Sequence, residues 1–310
     1  MIYTVTLNPA LDRELTVPTV AFDEVLRASE TRLDVGGKGF NVSRMLAALG
    51  SESVALGFAG GRTGEALRDG LEALGIATDF VVVAGETRTN VSIVTHDHDH
   101  YVKVNEAGPT ISADEQAALV ARVRARVRSG DWWVLAGSLP PGVAPTIYAK
   151  LIRHIHSAGG RTILDTSGVP LRAGCVARPF LVKPNALEIS QLTGRPVTTI
   201  AEAFEAASAL EGIEHIVISL GSAGALLVHD GHGWLATPPS IHERNPIGAG
   251  DSLVAGLVWG LSEGDALEAL RWGVACGAAT ASHDGTAVGT RDEVVAFAQQ
   301  VQIRKLQTDE

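Results

Sequence analysis

Asn245-Pro-Ile-Gly-Ala-Gly-Asp-Ser252 runs directly into Leu253-Val-Ala-Gly-Leu-Val-Trp-Gly-Leu261, an apolar stretch long enough for a buried helix. Gly248 and Gly250 let the backbone approach a ligand and adopt angles that a side chain forbids. The first amides of the following helix point outward, unpaired, at the positive end of its dipole. Such an end binds phosphate without needing a lysine. Asp251 stands in the middle of this anion site, where a carboxylate is electrostatically awkward. Taking a proton from a hydroxyl that attacks the held phosphate would give it a task. Read alone, the stretch equally fits a glycine-rich turn before a core helix, with Asp251 as a first-turn acid.

The chain has 310 residues, 45% of them hydrophobic, enough for one large α/β domain or two smaller ones. A net charge of −10 argues against a general nucleic-acid binder. It leaves room for an anionic small substrate, which a few local arginines can hold. Cys175 and Cys276 are too few for a disulfide framework and have no zinc spacing, so two reduced thiols are expected. Met1-Ile-Tyr-Thr-Val-Thr-Leu reads as a first strand rather than a signal peptide. No apolar run reaches membrane-spanning length. A cytoplasmic protein without a membrane partner is the expectation.

Ile2–Leu7 reads as a strand, broken by Asn8-Pro-Ala-Leu-Asp12. Asp12 thus lies just past a strand's C-terminal end, where open α/β sheets bind ligands. A glycine cluster, Gly36-Gly-Lys-Gly-Phe-Asn-Val42, then opens a helix that stops at Gly50. Lys38 and Asn41 add polar groups at its start. Strands are expected at 53–59, 78–84, 90–95 and 101–105, and a helix at 63–74. His96-Asp-His-Asp-His100 looks at first like a metal site, but between two β runs it is more simply a hairpin loop. Ser112-Ala-Asp-Glu115 is a capping box for a helix to about Arg128. Arg122, Arg124, Arg126 and Arg128 step by two, which scatters them over a helix surface.

From Asp131 onward the pattern is regular. Strands are expected at 131–136, 162–165, 180–183 and 215–220, and a hairpin at 225–229 and 234–237. Helices are expected at 145–158, to Thr193, at 199–210, and at 250–262, 265–282 and 291–301. Alternation of this kind means a parallel sheet covered on both faces. There is no linker, repeat or low-complexity segment, so residues 1–310 read as one domain. Two β-rich stretches without helices, about 12–33 and 88–105, fit a smaller accessory sheet.

Asp12, Ser138, Asp165, Lys183 with Asn185, Ser219 with Gly221, and Gly248–Asp251 all follow strand ends. In a parallel sheet those ends share one edge, so these residues would line one crevice. The chain has no P-loop, no nicotinamide-type G-x-G-x-x-G after its first strand, and no G-x-S-x-G elbow.

Gly36-Gly-Lys-Gly-Phe-Asn-Val42 and Gly248-Ala-Gly-Asp251 resemble the paired signatures of the PfkB (ribokinase-like) carbohydrate kinases. Thr6-Leu-Asn-Pro-Ala-Leu-Asp12, Thr87-Arg-Thr-Asn90, Asn105-Glu-Ala-Gly-Pro109, Gly137-Ser-Leu-Pro-Pro-Gly142 and Lys183-Pro-Asn185 with Glu188 resemble its phosphosugar branch. The resemblance covers essentially the whole chain. It implies a three-layer α/β/α sandwich with a mostly parallel sheet and a small β-sheet lid, commonly clasped into a homodimer. It implies ATP and Mg²⁺ as well. Asp251 would be the base, and Gly248, Ala249 and Gly250 would supply the anion hole. Asp12, Gly37, Lys38, Asn41 and Asn90 would bind the sugar. Arg88 and Ser138 would hold its phosphate, helped by Arg27 reaching across a dimer. Asn185 and Glu188 would organise Mg²⁺, indirectly. Lys183, Ser219, Gly221, Gly224 and His283 would lie along the nucleotide.

One departure bears on the substrate. Many family members have Asp-Thr where this chain has Asn245-Pro246, a version that resembles the members acting on tagatose 6-phosphate. The motifs at 36–39, 87–90 and 105–109 resemble those acting on fructose 1-phosphate. The expectation is phosphorylation of fructose 1-phosphate at O6, with tagatose 6-phosphate or fructose 6-phosphate as the alternative. A sugar-phosphate sensor on a kinase scaffold is the competing class, and the intact Asp251 with its flanking glycines speaks against it.

Overall fold

The computed structural model describes residues 1–21, 23–95 and 101–306. The histidine-aspartate run 96–100 lies outside the described residues. Strand β1 (Ile2–Thr6) is buried along its whole length and sits inside the main sheet. On one side it pairs in parallel with β4 (Ser53–Ala59), which pairs with β5 (Ala77–Val82). On its other side lie β8 (Trp132–Ala136), β9 (Arg161–Asp165), β10 (Leu181–Val182) and β11 (His215–Ser219), all parallel. Strand order therefore reverses at β1, and the crevice beyond such a reversal is where open α/β sheets bind ligands. Strands β12 (Ala225–His229), β13 (His232–Thr237) and β14 (Gln302–Lys305) extend the sheet antiparallel.

The strands read as apolar runs because both faces are covered. Helices α3 (Ala113–Arg126), α4 (Ile147–Ser157), α5 (Gly168–Val176), α6 (Ala186–Thr193) and α7 (Ile200–Ser208) lie on one face, over Val5, Trp133 and Leu135. Helices α1 (Lys38–Ala48), α8 (Ala249–Glu263), α9 (Ala266–Ala281) and α10 (Arg291–Ala298) cover Trp132, Val134 and Ala136 on the other. Next to them α2 (Gly61–Ala73) packs Leu67 and Leu71 on Ala55 and Phe80. This is the expected α/β/α sandwich.

Three local readings change. Helix α5 was not expected, because Ser167-Gly-Val-Pro170 has loop composition; Pro170 is tolerated in a helix's first turn. The helix expected at 291–301 ends at Ala298, and 302–305 form β14, a strand that exists only because β13 offers an edge. The arginines of α3 are not simply scattered: Arg122 and Arg126, one turn apart, both bind the Asp79 carboxylate of β5. The Ser112–Glu115 capping box is present as read.

The accessory sheet has the order β3-β2-β6-β7, from β2 (Ala10–Val17), β3 (Glu30–Gly36), β6 (Arg88–Thr95) and β7 (Tyr101–Asn105). Its register separates two faces. Asp12 stands opposite Asp34 and Asn90, and Glu14 opposite Arg32, on a polar face. Leu33, Arg13, Val91 and Val104 form one row of the other face; Leu15, Ile93 and Val102 share the next. The polar face carries the residues expected to bind sugar.

Candidate active site

Helix α8 begins at Gly248, whose left-handed φ of 83° no β-branched residue would accept. The turn folds back so that the Ala249 amide donates to the Pro246 carbonyl and the Asp251 amide to the Gly248 carbonyl. Among the described residues, nothing accepts a hydrogen bond from the Gly248 or Gly250 amide. Two free N–H groups at a helix's positive end are what an anion hole at this turn would need. Behind it, Ser252 is fully buried and accepts from Thr280 Oγ1 at 2.7 Å, which ties α8 to α9.

Asp251 is 7% exposed. Burial pushes its carboxyl up to about 6; Asp165 adds to the rise, while Lys38, an Asn41 hydrogen bond and Lys183 hold it down. Asn41 Nδ2 donates to Asp251 Oδ2 at 2.8 Å. A carboxyl poised near neutrality suits a general base.

Asp165, at the end of β9, is the charge centre beside it. Its Oδ1 meets Lys38 Nζ at 3.0 Å and Lys183 Nζ at 3.4 Å. Burial alone would raise this carboxyl, but the two ammonium groups outweigh it and hold the group below the ordinary carboxylate range. Burial likewise works against the charged Lys38; Asp165, Asp251 and Glu188 overcome it and keep that lysine protonated. Lys183 Nζ also faces Gly250, 3.8 Å from where a Cβ would stand. Asp165 was read only as a polar strand end. Its aspartate identity is visible in sequence, but its two lysine partners lie 127 and 18 positions away.

At the sugar end, Asn90 Nδ2 donates to Asp12 Oδ1 at 2.7 Å. Gly36 leaves room for the Asp12 carboxylate, and Gly37, with φ 133°, starts α1. Gly137 (φ 99°) approaches Lys38, and its carbonyl accepts from Tyr148 at 3.0 Å and Thr166 at 2.8 Å. Ser138, the next residue, is exposed. Arg88 stands at the joint between main sheet and lid. It donates to the carbonyls of Asn8, Pro9 and Glu106 at 2.9, 3.4 and 2.9 Å. It therefore clasps the joint in addition to any ligand role. Arg27 lies exposed on the link between β2 and β3.

Next to the anion hole opens a cleft of about 730 Å³. Asn185, Ser219, Gly221 and Gly224 line it as expected, with Ala249 and Gly250. Its far wall, Pro238–Ile241 with Val274, Gly277, Ala278 and Ala281, was not singled out from sequence. Ser240 apart, those residues carry no polar signal; their small and apolar side chains make a slot that a flat ring could enter. His283 is not among the lining residues and instead bonds Glu293 at 2.9 Å. Asn185 and Glu188 bond each other as a capping box on α6, at 2.8 and 2.9 Å.

Known proteins share this architecture. The chain is 37% identical to the 1-phosphofructokinase of Bacillus subtilis over 309 residues, covering 99% of this chain and 100% of that one. It is 35% identical to the 1-phosphofructokinase of Vibrio cholerae over 308 residues, 98% and 97% of the two chains. The crystal structure of phosphofructokinase-2 from Escherichia coli in complex with potassium superposes with a TM-score of 0.92 at 32% identity, covering 96% of this chain and 98% of that one. The family model described as pfkB family carbohydrate kinase matches residues 6–293, which span both signatures, the lid and the cleft. The chain belongs to the pfkB family of carbohydrate kinases.

Proposed function

We propose that this kinase transfers the terminal phosphoryl group of ATP to O6 of fructose 1-phosphate, giving fructose 1,6-bisphosphate. The observation that carries the reading is the buried Asp251, poised near neutrality beside two free amides and two ammonium groups. Asp251 takes the proton of the O6 hydroxyl as that oxygen bonds to the γ-phosphorus. The bond from phosphorus to the β,γ-bridging oxygen breaks, and its electrons leave with ADP. The Gly248 and Gly250 amides and Lys183 stabilise the charge on the transferring group. Asp12, Asn90 and Lys38 orient the sugar, and Ser138 with the two remaining N–H groups of Arg88 meets its phosphate. The cleft from Asn185 to Ala281 takes the nucleotide.

Mg²⁺ would neutralise the β- and γ-oxygens when bound with the triphosphate. The donors at the phosphate end, the Asn185 amide and the Glu188 carboxylate, suit a hard cation that takes oxygen ligands and keeps several waters. Since each already caps the other's backbone, they would act on it through water. The 1-phosphofructokinases among the relatives support fructose 1-phosphate over the tagatose 6-phosphate reading of Asn245-Pro246.

The test is ADP release with Mg-ATP and fructose 1-phosphate, fructose 6-phosphate, tagatose 6-phosphate or free fructose. Preference for fructose 1-phosphate is expected, with a loss of about 10²–10⁴ in Asp251→Asn. Preference for tagatose 6-phosphate would overturn the substrate. Binding of sugar phosphate without turnover, equal in both proteins, would make the chain a sensor.

A further inference from the structure

Asn41 touches the base, yet an amide can be turned over with little change in shape. What fixes it is Arg44, one turn along α1, whose Nη1 donates to Asn41 Oδ1 at 3.3 Å. Only one orientation satisfies both neighbours. With the oxygen toward the guanidinium, the NH₂ group faces the Asp251 carboxylate at 2.8 Å. Turned over, the amide would set oxygen against carboxylate and N–H against guanidinium.

Arg44 is half-buried and belongs to the lid as well as to the base. Burial works against its charge, as does the like charge of Arg32, while the carboxylates of Asp34 and Asp12, on β3 and β2, favour it. Arg32 is itself held by Asp34 at 2.7 Å. We propose that Arg44 is a positioning residue for phosphoryl transfer: its hydrogen bond locks the Asn41 amide so that Asp251 Oδ2 is occupied and Oδ1 is presented to the substrate hydroxyl. The inference rests on Asp251 being the base.

Losing the lock frees the amide and withdraws a hydrogen bond that keeps Asp251 ionised. The groups facing Asp251 are Lys38 and Asn41 from α1, Asp165 at the end of β9 and Lys183 after β10. Of these only the Asn41 hydrogen bond changes in Arg44→Ala, so the acid limb of the kcat/KM profile moves to higher pH.

A double-mutant cycle tests the proposal, with Mg-ATP and fructose 1-phosphate, or whichever of the four acceptors turns over. Arg44→Ala is expected to lower kcat by up to about 10²-fold with KM for the sugar nearly unchanged. Asn41→Ala should do the same, and the double variant should be no worse than Asn41→Ala alone. Arg44→Lys, which keeps charge without the planar fork, should recover part of the loss. Losses that multiply, a change in KM alone, or wild-type kcat in Arg44→Ala would each overturn it. Full activity in Asp251→Asn would instead overturn the base assignment beneath it.

Discussion

At the scale of single residues, the site is organised by a carboxylate that touches no substrate in the proposed reaction. Asp165 is 1% exposed and holds Lys38 and Lys183 with one oxygen. Its charge also raises Asp251. In Asp165→Asn that repulsion disappears while both ammonium groups remain, so Asp251 ionises more easily. The acid limb of kcat/KM that Asp251, as the proposed base, would set near pH 6 in the wild type should move to lower pH, opposite to the shift in Arg44→Ala. A pH–rate profile of both variants checks the two signs together. The same change leaves Lys183 buried without a counter-ion, which costs about 3–5 kcal/mol, visible in chemical denaturation.

At the scale of elements, α8 and α9 meet backbone to backbone. A Cβ on Gly256 would collide with the Trp272 carbonyl, and one on Gly260 would press on Ala269. The neighbour in each case is peptide backbone, so rotamers cannot relieve the clash. Gly256→Ala should therefore push the helices apart, lower thermal stability by about 1–3 kcal/mol, and reduce kcat because Asp251 rides on α8. Thermal unfolding followed by circular dichroism reads the first effect; an unchanged melting temperature would show that the two helices are not clamped here. In sequence, Gly256 and Gly260 are simply part of an apolar run long enough for a buried helix. Their purpose becomes visible only when α9 is laid against them.

At the scale of the whole molecule, the lid presents its polar face to the site and its apolar face elsewhere. Leu33 and Val104 on that second face are 48% and 59% exposed, in one row with Val91. A two-sided sheet of this size rarely leaves such a face in water. We propose that a second copy covers it, as a homodimer through the lid, with Arg27 on the same lid segment. Sedimentation equilibrium should give twice the chain mass for the wild type and the single mass for Leu33→Asp/Val104→Asp. A monomeric wild type would remove the dimer from the account.

Most of the order of strands and helices, the parallel sheet, the lid segments and the glycine turn that opens α8 were legible in sequence. Each is written in local chemistry: hydrophobic period, glycines at the start of a helix, and polar residues at strand ends. Helix α5 and strand β14 were not, because Pro170 sits where only a first turn accepts it and β14 needs the edge of β13. The site divides in the same way. The proposed base, the glycine turn beside it and the polar residues expected to bind sugar follow from motifs. The pairing of Asp165 with two lysines, the clasp of Arg88 on the lid joint, and the lock from Arg44 through Asn41 to Asp251 join residues as far as 210 positions apart. Hydrogen bonds and ion pairs act over about 3 Å in space. The sequence by itself determined which chemistry was present; only the tertiary structure decided which groups stand close enough to tune one another.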